Sequence, residues 1–269
     1  MTRHWAHFGA AIVLVAALSI DSQAQAQQVR WEGLYIGTHA GYGRSDTRTS
    51  YTGNADVMAL IAGGALPGSY GVGSSDFIGG AQLGYNFRVG PMVVGAEGDF
   101  SVGSLGKTSS TRIINPGMIT LPVDGVTFLN GSQWDSKGSL RLEAISSVRG
   151  RIGIVSESLM IFATAGVAFA DAKSGGHISQ AYPVGGSNFR NWSGSSSENV
   201  SGYVLGAGLE YAYTSNWLIR WEALRYDFGT LKDGLSPLPS NSSGGNFTPV
   251  NRSTNLDVTV VRGGLSYKF

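Results

Sequence analysis

The sequence predicts an all-β protein: an eight-stranded antiparallel up-and-down transmembrane β-barrel with short periplasmic turns and four long extracellular loops. Three observations predict it. Apolar and polar residues alternate with period two in eight successive runs. The links between those runs alternate between short and long. Beyond an apolar segment near the start, no run is long enough to cross a bilayer as a helix.

The first segment reads as an address. Arg3 precedes the apolar run from Phe8 to Leu18, and Ala24-Gln25-Ala26 follows. A short apolar stretch before an A-x-A site is the pattern of a secretory signal peptide, with cleavage expected after Ala26. Residues 1–26 are therefore expected to be removed, leaving 27–269 as the barrel domain.

The runs then follow in order. The first places Leu34, Ile36, Ala40 and Tyr42 on one face and Tyr35, Gly37, His39, Gly41 and Gly43 on the other. The second alternates Phe77, Leu83, Tyr85 and Phe87 against Asp76, Gln82, Asn86 and Arg88. The third sets Met92, Val94, Ala96, Phe100 and Val102 opposite Glu97, Asp99 and Ser101. In the fourth, Leu140, Leu142, Ala144, Val148, Ile152 and Ile154 oppose Arg141, Glu143, Ser147, Arg149 and Arg151. The fifth, from Leu159 to Ala172, is apolar on both faces, so its orientation is open. The sixth sets Tyr203, Leu205, Ala207, Leu209 and Tyr211 against Glu210 and glycines. The seventh sets Trp217, Ile219, Trp221 and Ala223 against Arg220 and Glu222, and its phase blurs after Ala223. The eighth ends the chain with Val261, Gly263, Leu265, Tyr267 and Phe269 on one side and Arg262, Ser266 and Lys268 on the other.

Each run is about 10–16 residues, enough for a membrane strand, which needs roughly 9–11. Three links are tight turns, at 88–91, 155–158 and 214–216. Four are long, at roughly 45–74, 105–137, 173–198 and 231–253, and their Gly, Ser, Asn and Thr favour irregular backbone. Unpaired backbone amides are costly in hydrocarbon, so such a sheet has to close on itself, with its apolar side turned to lipid. A soluble lipocalin-type barrel or sandwich would instead carry a densely charged outer face. Here charged residues are only 14% of the chain.

Composition narrows the function. A net charge of +1 supplies no basic stripe for a nucleic acid. The absence of cysteine excludes disulfides, thiolate metal sites and a cysteine nucleophile. Ten charges fall on the inward faces: Glu97, Asp99, Arg141, Glu143, Arg149, Arg151, Glu210, Arg220, Glu222 and Arg262. An eight-stranded interior is just wide enough to be filled by side chains. Buried charges are tolerable when paired, so these ten are expected to form an Arg–Glu network that plugs the lumen. The rival reading is a narrow porin-like channel for small solutes. Inward glycines such as Gly41, Gly206 and Gly208 would make room for the long Arg and Tyr side chains.

An enzyme of the lipid-modifying or protease kind would need a histidine with Ser, Asp or Glu partners at the rim. After the first segment only His39 and His177 remain, with Ser45, Asp46 and Asp76 nearby in sequence. Haem capture by His177, Tyr182, Tyr51 and Met58 lacks a shared spacing. No enzyme activity, cofactor or metal is expected.

Residues 31–43 ("WEGLYIGTHAGYG"), 147–154 ("SVRGRIGI"), 203–229 and the terminal "GGLSYKF" resemble the RopB-type small outer-membrane β-barrel proteins of Gram-negative bacteria, relatives of the OmpA-like transmembrane barrel. The resemblance covers the chain after its first segment, apart from the four long links. Ala223-Leu224 departs from it, where relatives tend to carry an aromatic after the Glu. The resemblance implies an outer-membrane location with both chain ends in the periplasm, and no appended peptidoglycan-binding domain. It implies as partners the surrounding outer-membrane lipid, periplasmic chaperones and the barrel assembly machinery, which would read Leu265, Tyr267 and Phe269. An unknown ligand at the outer loops completes the expected partners.

Overall fold

A computed structural model describes residues 30–114, 116–123, 125, 127–181, 191–238 and 249–269. The expected cleavage site at Ala24 and Ala26, and Tyr182, lie outside the described residues. In chain order the elements are β1 (Gly33–Thr52), α1 (Ala55–Ala62), β2 (Ser69–Val89), β3 (Met92–Ile114), the short β4 (Ile119–Thr120) and β5 (Thr127–Phe128), β6 (Gln133–Ser156), β7 (Leu159–Ala181), β8 (Asn191–Ala212), β9 (Trp217–Pro237) and β10 (Val250–Lys268).

The eight long strands form one closed antiparallel ring, in the order β1-β10-β9-β8-β7-β6-β3-β2. β10 pairs with β1 from Lys268 opposite Tyr35 to Asn251 opposite Thr52. Closure leaves neither terminal strand with a free edge, as a sheet in lipid requires. The short turns sit together at one end. Gly90, with φ of +62°, makes the tight reversal between β2 and β3 in a backbone region that side chains disfavour.

The strands are longer than their alternation suggests, from 19 residues in β10 to 24 in β6. Much of the four stretches expected as irregular loops is therefore ladder, and the links at that end shrink to 53–68, 115–132, 182–190 and 238–249. The physical reason is solvation. Where the wall rises beyond its apolar belt, the outward face no longer needs hydrophobic residues. Ser, Thr and Gly then pair in the sheet without leaving a period-two hydrophobic signal.

The outer surface carries the belt. Leu34, Ile36, Leu83, Val94, Ile152, Ile161, Leu205, Trp221 and Leu265 are all exposed. Tyr85, Tyr211, Trp217, Tyr267 and Phe269 mark its turn end, and Tyr42, Phe77, Phe100, Phe169 and Tyr203 its loop end. The eight residue steps from Leu34 to Tyr42 rise about 20 Å at roughly 3.3 Å each with a tilt of about 40°. That is close to the roughly 25 Å apolar band of outer-membrane barrels.

The two open phases resolve. β7 turns Met160, Phe162, Ala168 and Ala170 inward and Ile161, Val167 and Phe169 outward. β9 keeps its phase past Ala223, burying Leu224, Tyr226 and Phe228. It breaks only at Gly229, whose φ of +68° makes a bulge against β10.

Inside, the lumen is filled in layers. Near the turns lie Trp31, Val93, Val155, Met160, Phe162, Ala212 and Leu218. Beyond a charged layer, Ile78, Leu105, Leu142, Ile145, Tyr226, Phe228 and Val258 form a second apolar cluster. At the loop end α1 buries Val57 and Leu60 against Ile119, Leu121, Phe128, Trp134, Ile178 and Trp192. Asn54 caps α1 by accepting from the Val57 amide at 3.1 Å. Asp56 accepts from the Val123 amide at 2.7 Å, tying this helix to the next link.

Candidate functional site

Between the first two apolar layers lie four arginines and four carboxylates, all buried: Arg149, Arg151, Arg220 and Arg262 with Glu97, Asp99, Glu210 and Glu222. The ladder itself sets opposite charges face to face. Glu97 lies across from Arg149, Glu210 across from Arg220, and Glu222 across from Arg262. Longer contacts then cross the lumen. Arg149 donates to Glu97, and to Glu222 at 2.7 Å. Arg151 reaches Glu210 at 3.1 Å. Arg220 donates through Nε to Glu210 at 2.8 Å and through Nη1 to Glu97. Arg262 donates to Glu222 at 2.9 Å and to Asp99 at 2.7 Å.

Neutral groups complete the layer. The Tyr35 hydroxyl donates to Glu97 at 2.5 Å and accepts from Arg151 at 3.0 Å. The Ser147 hydroxyl donates to Asp99. The Arg151 guanidinium sits 4.3 Å from the centroid of the Phe162 ring and 5.6 Å from that of Tyr35. Tyr35 fits because Gly84 lies beneath it, where a Cβ would come 2.2 Å from its hydroxyl. Gly41 likewise lies against Arg262, whereas Gly206 and Gly208 face Leu224 and Phe162 rather than an Arg or Tyr.

Eight of the ten charges expected in the lumen are there. Arg141 and Glu143 are not: both are exposed on the outer wall, and Leu142 takes their place inside. The cause is an irregularity in the ladder. At one height β7 advances two residues (Ala170 to Ala172), β6 three (Leu142 to Ile145) and β3 four (Ser101 to Leu105). An odd step reverses the facing of every later side chain, so the phase of β6 inverts at this point. Glu143 instead pairs with Lys173 at 2.7 Å.

The histidine candidates separate. His39 is buried at the edge of the network, with Nε2 2.8 Å from the Ser101 hydroxyl and 3.1 Å from Arg262 Nη1. Its Nδ1 has no hydrogen-bond partner, so no carboxylate orients the ring as a hydrolytic triad requires. Asp46 points outward and pairs with Arg44. Of the haem candidates, Tyr51 is buried 3.2 Å from the Ser136 hydroxyl, Met58 is exposed on α1, and His177 lies opposite Lys137 and Ser193 on the wall. They do not converge. Tyr35, Ser147 and Phe162 were not anticipated as network members. Their inward phase was legible for Tyr35 and Ser147, but no local pattern marks a neutral residue as the partner of a charge across the lumen.

A family model described as an outer membrane protein beta-barrel domain matches residues 10–269. The 31 kDa outer-membrane immunogenic protein of Brucella melitensis biotype 1 is 29% identical over 267 residues, spanning 97% of this chain and 92% of that protein. The 25 kDa outer-membrane immunogenic protein of Brucella canis is 27% identical over 244 residues, spanning 91% of this chain and 82% of that one. Among solved structures, OprG from Pseudomonas aeruginosa aligns over 90% of this chain and 98% of its own, at 12% identity and a TM-score of 0.49. The closed strand ring, its outward apolar belt and the full-length family match lead to one identification: the chain belongs to the outer membrane protein beta-barrel domain family and resides in the cell outer membrane.

Proposed function

We propose that this chain is a non-enzymatic, structural barrel of RopB type whose lumen is shut. Its turn end would face the periplasm and its capped loop end the exterior. It would stiffen the envelope and present its outer wall and loops to the surroundings. The observation that carries this reading is the eight-membered charge layer, balanced in sign and sealed by apolar clusters on both sides. A conducting path would have to break several buried ion pairs at once, and each broken pair leaves an uncompensated charge in a dry interior. Outward Leu265, Tyr267 and Phe269 are the residues we assign to recognition by the assembly machinery, with chaperones delivering the chain. The test is a planar bilayer recording on protein that shows heat-modifiable migration on a detergent gel. The closed reading predicts no stable conductance steps. Steady openings in the nanosiemens range would establish the narrow-channel alternative instead.

A further inference from the structure

Where the wall of β3, β6 and β7 changes its step, its outer surface opens into a groove of about 310 Å³. Phe100 and Phe169 form its sides, at 53% and 49% exposure. Between them, in the same cross-strand row, lies only Ser146. Ala144, Asp171 and Asn199 line the groove one row further from the turns, Asp171 opposite Asn199. One more row out, Arg141 and Lys173 face each other across the β6–β7 ladder, both exposed. From the belt outward, the wall thus offers an apolar slot, then hydrogen-bond acceptors, then two cations.

We propose that this groove binds one phosphorylated glycolipid of the outer leaflet. One acyl chain lies between Phe100 and Phe169. The hydroxyl and amide N–H groups at the sugar end of its chains donate to Asp171 and Asn199. A sugar phosphate accepts from Arg141 and from Lys173, whose ammonium has three donors and keeps its bond to Glu143, so that carboxylate stays compensated. The order of the groups selects this occupant. In a phosphoglycolipid, hydrogen-bond donors lie between tails and phosphate. In a glycerophospholipid the phosphate follows directly on ester carbonyls, which donate nothing and would set the anion beside Asp171. Like charges in contact oppose binding.

The proposal rests on the loop end facing outward, and an epitope inserted at 238–249 and read on intact cells tests that orientation separately. The groove itself is tested on the full chain by native mass spectrometry in detergent, with added diphosphorylated lipid A or phosphatidylglycerol as probes. Lipid A is expected to remain bound under activation that strips phosphatidylglycerol. Ser146→Phe, which fills the slot from a lipid-facing position, should remove that adduct. Phe169→Ala, which deletes one wall, gives a second reading if Ser146→Phe does not fold. Arg141→Gln with Lys173→Gln should lower retention of diphosphorylated lipid A by about tenfold and leave dephosphorylated lipid A unchanged, because only the charge-assisted hydrogen bonds are lost. Equal retention of the two probes, or an undiminished adduct in a folded groove variant, overturns the proposal. Conductance in a bilayer would overturn the shut lumen and leave the groove standing.

Discussion

Glu97 concentrates the electrostatics of the interior. It accepts from Arg149, Arg220 and Tyr35, and Arg151 lies 3.8 Å away. Removing it strands positive charge where water does not reach. Glu97→Leu is expected to cost about 3–5 kcal/mol, the usual penalty for breaking one side of a buried pair. The urea midpoint of the heat-modifiable band measures it. Glu97→Leu with Arg149→Leu should recover part of that loss, because the two sites share one network. A midpoint unchanged in the single variant would mean that the interior is hydrated and its charges independent. Most of this layer was legible from the chain, since Arg149, Arg151, Glu210, Arg220 and Glu222 sit in uninterrupted alternation. Arg141 and Glu143 were not, because facing propagates along a strand and the odd step between Leu142 and Ile145 inverts it. Nothing local to "LRLEAIS" announces that step.

The strands show where a pattern carries information and where it stops. Alternation is strong only while one face meets lipid and the other the packed lumen. Beyond Tyr42, Phe100 or Phe169 the outward face becomes polar while the inward face mixes small and polar residues with scattered buried ones such as Leu105 and Ile178, so the same pairing continues without a regular hydrophobic contrast to betray it. Glycine is equally ambiguous. Gly229 reads as the end of the seventh run, yet it lies inside β9 and carries the bulge that turns Leu235 toward the cap. A β-branched residue at φ of +68° is strained, so Gly229→Val is expected to lose about 1–2 kcal/mol in the same urea assay. Gly229→Asn should lose less, because Asn tolerates that backbone region. If Val proves neutral, the bulge sits elsewhere in β9 and the inward phase of Leu231 and Leu235 needs another origin.

At the scale of the whole molecule, the decisive distinction is between side chains that meet acyl chains and those that meet each other. Five tryptophans fall within the described residues, and they divide cleanly. Trp31, Trp134 and Trp192 are buried in the two end clusters of the lumen, whereas Trp217 and Trp221 stand on the outer wall at 42% and 53% exposure. A soluble barrel with the same ring of strands would expose the outer pair to water. A membrane barrel presents them to lipid at two depths, with Trp217 beside Tyr267 at the turn-end rim and Trp221 four residues further into the belt. In vesicles of brominated phospholipid, quenching is short-range and requires contact with the labelled chain. The intact protein should therefore lose part of its tryptophan emission. Trp217→Phe with Trp221→Phe should abolish that loss while leaving the remaining fluorescence bright. Trp221 alone should respond most to bromines deep in the acyl chain, and Trp217 to those near the headgroup. Strong quenching that survives the double substitution would place lipid against Trp31, Trp134 or Trp192, which is incompatible with a filled and sealed interior.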